Sequence, residues 1–142
     1  MANRKHQQPI AVAQRPVYAM LLPIPVVCFI GALLTDIAYL RSDGNFLWLN
    51  FSSWLIAVGL LFGVFALLVA VIDTVRGRRS YFAAGLLAAA WVVELFNALI
   101  HTRDGWTAVA GTGLILSIVG VVLILLSGWF WQSLRYDAER DR

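Results

Sequence analysis

Residues 91 to 109, WVVELFNALIHTRDGWTAV, combine a long apolar run with side chains that can exchange protons. Glu94, Asn97 and His101 recur at steps of three and four residues, which places them on one face of a helix. Trp91 lies on the same face one turn earlier. A carboxylic acid, an amide and an imidazole in this pattern predict a hydrogen-bonded path for protons.

Asp36 and Tyr39 form a second polar pair on one helix face, near the end of another apolar run. We expect this pair to lie at about the depth of Asn97, so that both sets of residues join in one cluster. Three charged residues follow the same two runs and are predicted to surround the outer mouth of this cluster: Arg41, Arg103 and Asp104.

Glu94 is the only charged residue in the segment from 80 to 100. A carboxylate at such a position costs roughly 3 kcal/mol to insert into a bilayer. No Lys or Arg lies in the segment to pair with it, so we expect Glu94 to be protonated, because desolvation favours the neutral acid. The competing interpretation is that Asp36, Glu94 and Asn97 only hydrogen-bond the helices together, as polar residues do in membrane bundles.

The composition indicates a membrane protein. Of the 142 residues, 61% are apolar and 13% are charged, against about 45–50% and about 25% in soluble domains. Because a helix of about 20 apolar residues crosses the hydrocarbon core of a bilayer, the long uncharged runs predict four spans. Their expected ranges are 17–40, 51–74, 81–101 and 106–132.

The order of these spans predicts an all-α fold. The uninterrupted apolar runs lack the alternation of a membrane barrel, so the spans are predicted to be helices. Short connections at 41–45, 75–80 and 101–105 require antiparallel neighbours and predict an up-down-up-down four-helix bundle. Residues 17–132 then form one membrane domain between the tails 1–16 and 133–142, and Pro23 and Pro25 are expected to kink the first span.

Basic residues predict the orientation of the bundle. Nine Lys and Arg residues fall in the two tails and the 75–80 connection, whereas Arg41 and Arg103 alone fall on the opposite side. Positive charge is retained in the cytoplasm, so both termini are predicted to be cytoplasmic. The formal charge of +3 is explained by this bias and gives no reason to expect nucleic acid as a partner.

Several kinds of site are not expected from the sequence. Cys28 is the only cysteine, which excludes a disulfide or a pair of thiol ligands within the chain. His6 and His101 are predicted on opposite sides of the membrane, so a bis-histidine haem within this chain is not expected. We find no metal-ligand spacing and no Ser-His-Asp set, and we predict no catalytic residues.

Three stretches carry a family resemblance: PIPVVCFIGALLTDIAYL (23–40), SSWLIAVGLLFGVFALLVAVIDTV (52–75) and GTGLILSIVGVVLILLSGW (111–129). They resemble an uncharacterised bacterial membrane family, domain of unknown function 2231, over nearly the whole chain. GALLTDIAY is the most specific part. The resemblance implies a bacterial cytoplasmic (inner) membrane protein and, because relatives include fusions to c-type cytochrome domains, work near electron transfer. Relatives also carry histidines around a His-Pro pair where this chain reads MLLPIPVVC, so no role of those histidines is carried over.

Two classes of function remain open. The first is a non-catalytic membrane subunit that anchors an extracytoplasmic cytochrome or dehydrogenase, or contributes a quinone-proximal proton site. The second is a small proton- or solute-conducting or sensing protein that acts as a homo-oligomer in the lipid bilayer. A purely structural membrane protein is the third possibility, and it predicts neither a partner nor an activity.

Overall fold

The computed structural model describes residues 16–77, 80–103 and 109–140 of the chain. These residues form five α-helices and one π-helical turn. In chain order the helices are α1 (Pro16–Leu21), α2 (Pro23–Arg41), α3 (Phe46–Val75), α4 (Tyr81–His101) and α5 (Leu114–Arg140), with the π-helical turn Val109–Gly113 directly before α5.

The four long helices confirm the predicted all-α membrane fold. Within the described residues, four segments are long and apolar enough to cross a membrane. They are Pro23–Arg41, Phe46–Val75, Tyr81–His101 and Gly111–Trp131. Large apolar side chains such as Phe51, Trp54 and Phe96 are exposed on the outer surface of the bundle, which is where a lipid-facing surface places them.

Local sequence explains where the helices begin and end. α1 and α2 meet at Leu22, because Pro23 lacks the amide hydrogen that continues a helix. The backbone of Leu22 remains α-helical, so the kink expected in the first span stays a prediction. The second span is predicted from residue 51, and the helix that carries it begins earlier. Asn45 caps α3 by accepting a hydrogen bond from Leu47 N at 3.0 Å, so the helix already begins at Phe46. Helix α5 continues to Arg140, although its segment that is apolar enough to cross a membrane ends at Trp131, next to the predicted span end at residue 132.

The long helices pack in a closed ring. Helix α2 contacts α3 and α5, and α4 contacts the same two helices, so α2 and α4 occupy diagonal corners. Close approach of α2 and α3 depends on Gly59, where a Cβ atom would overlap the ring of Phe29. We call the end of the bundle that holds the α2–α3 and α4–α5 connections the Gly44 end, and the opposite one the Gly77 end.

Candidate functional site

Six polar side chains from four helices meet in the interior of the bundle, in the half nearer the Gly44 end. Each residue is almost completely removed from solvent, with His101 the most accessible at 6%. Hydrogen bonds join the six into one group. We call this group the polar cluster, and its members are Asp36 (α2), Ser52 (α3), Glu94, Asn97 and His101 (α4), and Ser117 (α5).

Asp36 is the centre of the polar cluster. Its Oδ1 accepts a hydrogen bond from the Ser52 hydroxyl and lies 3.0 Å from Nε2 of His101. Its Oδ2 accepts a hydrogen bond from the Ser117 hydroxyl. The side chain therefore has partners on the three other long helices, which offset the cost of burying it.

His101 is oriented by its own helix. Its Nδ1 lies 3.0 Å from the carbonyl oxygen of Asn97. Because a carbonyl oxygen only accepts, Nδ1 must carry a hydrogen, and Nε2 is left to face Asp36. The hydrogen bond between the two side chains then holds one proton, either on the ring as an ion pair or on the carboxyl group as a neutral pair.

Glu94 and Asn97 form the deeper part of the polar cluster. Nδ2 of Asn97 donates to Oε2 of Glu94 at 3.1 Å and to the Ser117 hydroxyl at 2.8 Å. Oε1 of Glu94 and Oδ1 of Asn97 are buried without a hydrogen-bond partner. Oε1 packs against Gly120 of α5, where a Cβ atom would overlap it. A buried carboxylate oxygen without a donor is costly, and the neutral form of Glu94 stays a prediction.

Ser52, His101 and Asp36 correct one expectation, because the structure does bring together a serine, a histidine and an aspartate. Ser52 Oγ lies 3.3 Å from His101 Nε2. The same Nε2 atom also faces Asp36, while Nδ1 is held by a backbone carbonyl. In a catalytic triad the two ring nitrogens face the serine and the acid separately. The arrangement is thus a shared hydrogen-bond site and not an activated nucleophile.

Other predicted site residues lie outside the polar cluster. Nε1 of Trp91 donates to the carbonyl oxygen of Leu60 at 3.1 Å, so this ring joins α4 to α3. Tyr39 is buried one turn nearer the Gly44 end than Asp36, in contact with Leu49 and Val109. Arg41 and Arg103 are exposed at the Gly44 end, and Asp104 lies outside the described residues.

Two members of the polar cluster, Ser52 and Ser117, were missed in the sequence. Both lie on faces of small residues: Ser52 precedes Gly59 by seven residues, and Ser117 precedes Gly120 by three. Such faces turn toward neighbouring helices, so the pattern could have indicated buried hydroxyl groups. No group of three or more His, Cys, Asp and Glu side chains that could hold a metal ion occurs in the part of the chain that the structure describes.

Four apolar helices around a buried polar cluster define an integral membrane four-helix bundle. The chain belongs to the DUF2231 family of predicted membrane proteins, whose family model matches residues 14–139. This match confirms the resemblance seen in the sequence. No curated protein and no solved structure matches the chain.

Proposed function

We propose that this chain is a non-catalytic membrane subunit whose polar cluster takes up and releases protons next to a redox partner. The observation that carries the proposal is the burial of three titratable side chains, Asp36, Glu94 and His101, in one hydrogen-bonded group. Ionisable residues inside membrane segments are costly and mark proton or substrate pathways more often than other positions do.

The position of the polar cluster supports exchange at one side of the membrane. His101 is the last residue of α4, and Asp36 lies five residues before the end of α2. Both residues are therefore near the Gly44 end. We propose that this end is extracytoplasmic, since nine of the eleven Lys and Arg residues belong to the opposite side.

The redox part of the proposal is supported by the chemistry of quinones and by the resemblance described above. A quinone headgroup takes up protons together with electrons, and it resides in the apolar phase that surrounds these helices. A buried carboxyl group and a histidine that share protons would suit such a neighbour. We propose an anchoring or quinone-proximal accessory role toward an extracytoplasmic cytochrome or dehydrogenase in the bacterial inner membrane.

The conducting alternative is a homo-oligomer that passes protons or solutes between its protomers. A pore of that kind is lined by polar side chains on the outer surface of each bundle. In the described residues, the polar cluster points inward and the outer surface carries large apolar side chains. The arrangement favours proton exchange within a single bundle. In the purely structural alternative, the same hydrogen bonds only hold the four helices together.

Purification in a mild detergent tests the proposal. Wild type, Glu94→Gln and the control Gly85→Ala would be isolated at native abundance and analysed by mass spectrometry and absorption spectroscopy. Gly85 is exposed on α4, and a Cβ atom there meets no other atom. We expect a stoichiometric cytochrome, dehydrogenase or quinone with wild type and with Gly85→Ala, and its loss or inactivity in Glu94→Gln.

Two other results would contradict the proposal. A partner-free protein that conducts protons alone in liposomes would establish the conducting alternative. A colourless wild-type protein without a partner or conductance, together with a Glu94→Gln variant that behaves in the same way, would support the purely structural role.

A further inference from the structure

We propose that Tyr39, Leu49 and Val109 form a gate that closes the polar cluster from water at the Gly44 end, and that the π-helical turn Val109–Gly113 is its moving part. We call these three residues the apolar layer. The inference rests on the proposed function, because proton exchange requires that water reach the polar cluster.

The polar cluster is closed in the structure. Asp36, Ser52 and Ser117 are fully buried, and the side chain of His101 is only 1% exposed. The ring of His101 turns toward Asp36 and the Asn97 carbonyl, away from the end of its helix. In the described part of the chain, Nε2 of His101 and the Asp36 carboxyl group are therefore buried away from bulk water.

The apolar layer lies between the polar cluster and the Gly44 end. Tyr39 is one turn beyond Asp36 on α2, and Leu49 is one turn before Ser52 on α3, both toward that end. Val109, in the turn that precedes α5, belongs to the same hydrophobic cluster as these two residues and is fully buried. Three helical elements thus contribute one buried side chain each to the barrier.

Tyr39 and Leu49 lie on either side of the α2–α3 connection, which is held by several hydrogen bonds. The amide groups of Ser42 and Gly44 both donate to the carbonyl oxygen of Tyr39, each at 3.2 Å. Asn45 caps the helix that carries Leu49. These hydrogen bonds fix two of the three members of the apolar layer in place.

Val109 belongs to a different kind of backbone. It begins a π-helical turn, a rare conformation that is frequent at functional sites. Gly111 in this turn has φ of 96°, which L-residues with a side chain rarely adopt. A Cβ atom at Gly111 would meet no other atom within 4 Å. Gly111 is exposed on the outside of the bundle, so no packed side chain blocks a shift of the turn on that side. In the proposed gate, a shift toward α-helical geometry withdraws Val109 from the apolar layer.

Thiol labelling of the intact protein in proteoliposomes tests the gate. Cys28 is the only cysteine, so Cys28→Ala with Ser52→Cys gives one reporter inside the polar cluster. The probe is a cationic, membrane-impermeant methanethiosulfonate, and labelling in SDS measures the total thiol. In this background we expect slow labelling. Val109→Ala and Leu49→Ala should each accelerate it by about tenfold or more, because they remove two and three buried aliphatic carbons, respectively, from the closed state.

Matched variants separate the gate from general loosening. Leu49→Met, which conserves the volume of the apolar layer, and Phe51→Ala, on the exposed surface next to the reporter, should label as slowly as the background. Gly111→Ala should label faster, since its strain acts on the turn without a clash.

Three results would overturn parts of the inference. An unchanged labelling rate in Val109→Ala and Leu49→Ala, or an equal acceleration in Phe51→Ala, would contradict the proposed gate. An unchanged labelling rate in Gly111→Ala alone would contradict the proposal that the π-helical turn is the moving part of the gate. Labelling requires neither a partner nor a quinone. The gate can therefore be confirmed when the purification experiment contradicts the proposed function, and the proposed function can be confirmed when labelling contradicts the gate.

Discussion

His101 Nε2 lies 3.0 Å from Asp36 Oδ1, although the two residues belong to helices at diagonal corners of the bundle. The contact crosses the bundle axis and is completed by Ser52 and Ser117 from the two remaining helices. One carboxyl group thus connects all four long helices and, in the proposed function, holds the proton nearest the Gly44 end.

Asp36→Leu should destabilise the bundle by about 3–5 kcal/mol, since it leaves His101 and two hydroxyl groups buried without their acceptor. Thermal unfolding in detergent, followed by circular dichroism, measures the loss. The double variant Asp36→Leu with His101→Leu should lose less than the sum of the two single variants, because the pair is then removed together. Additive losses would contradict a direct interaction between the two side chains.

Gly120→Ala should displace the Glu94 carboxyl group, since a Cβ atom at 120 overlaps Oε1. Overpacking of this kind costs roughly 1–3 kcal/mol. Gly128→Ala lies on the same helix in open space and serves as the control, with little change or a small gain. Combining Gly120→Ala with Glu94→Ala should restore part of the lost stability. Equal melting temperatures for the two glycine variants would argue against the packing of Glu94 on α5.

Trp91→Phe should lower stability by about 1 kcal/mol through loss of the hydrogen bond to the Leu60 carbonyl. It should leave labelling of the Ser52→Cys reporter and the partner content of the purified protein unchanged, because the ring lies outside the polar cluster. A change in the labelling rate or in the partner content would support the sequence prediction that Trp91 belongs to the proton site.

The sequence was sufficient for the membrane fold because its signal is carried by long apolar runs. The helical period also placed Glu94, Asn97 and His101 on one face, and the structure brings them together with Asp36. It could not show that α2 and α4 stand at diagonal corners, since packing order is not encoded in local periodicity. Hence the contact of Trp91 with α3 was not foreseen, and the hydroxyl groups that join the two halves of the polar cluster were missed.

The π-helical turn could not be predicted from the sequence either. Gly111 adopts a φ of 96°, and a positive φ depends on the tertiary setting as well as on the presence of glycine. Asn45 and Ser80 each accept a hydrogen bond from the amide group two residues later, and α3 and α4 begin directly after these two caps.

Infrared spectroscopy of the carboxyl groups tests the central claim, that the polar cluster exchanges protons with water. The C=O stretch of a buried carboxylic acid would be followed in wild type, Glu94→Gln and Asp43→Asn, whose carboxyl group is exposed. We predict a band in wild type that shifts in D2O, changes reversibly with external pH, is lost in Glu94→Gln and is kept in Asp43→Asn. A band that neither exchanges with D2O nor responds to pH while the protein stays folded would contradict the claim and leave Glu94 a packing residue.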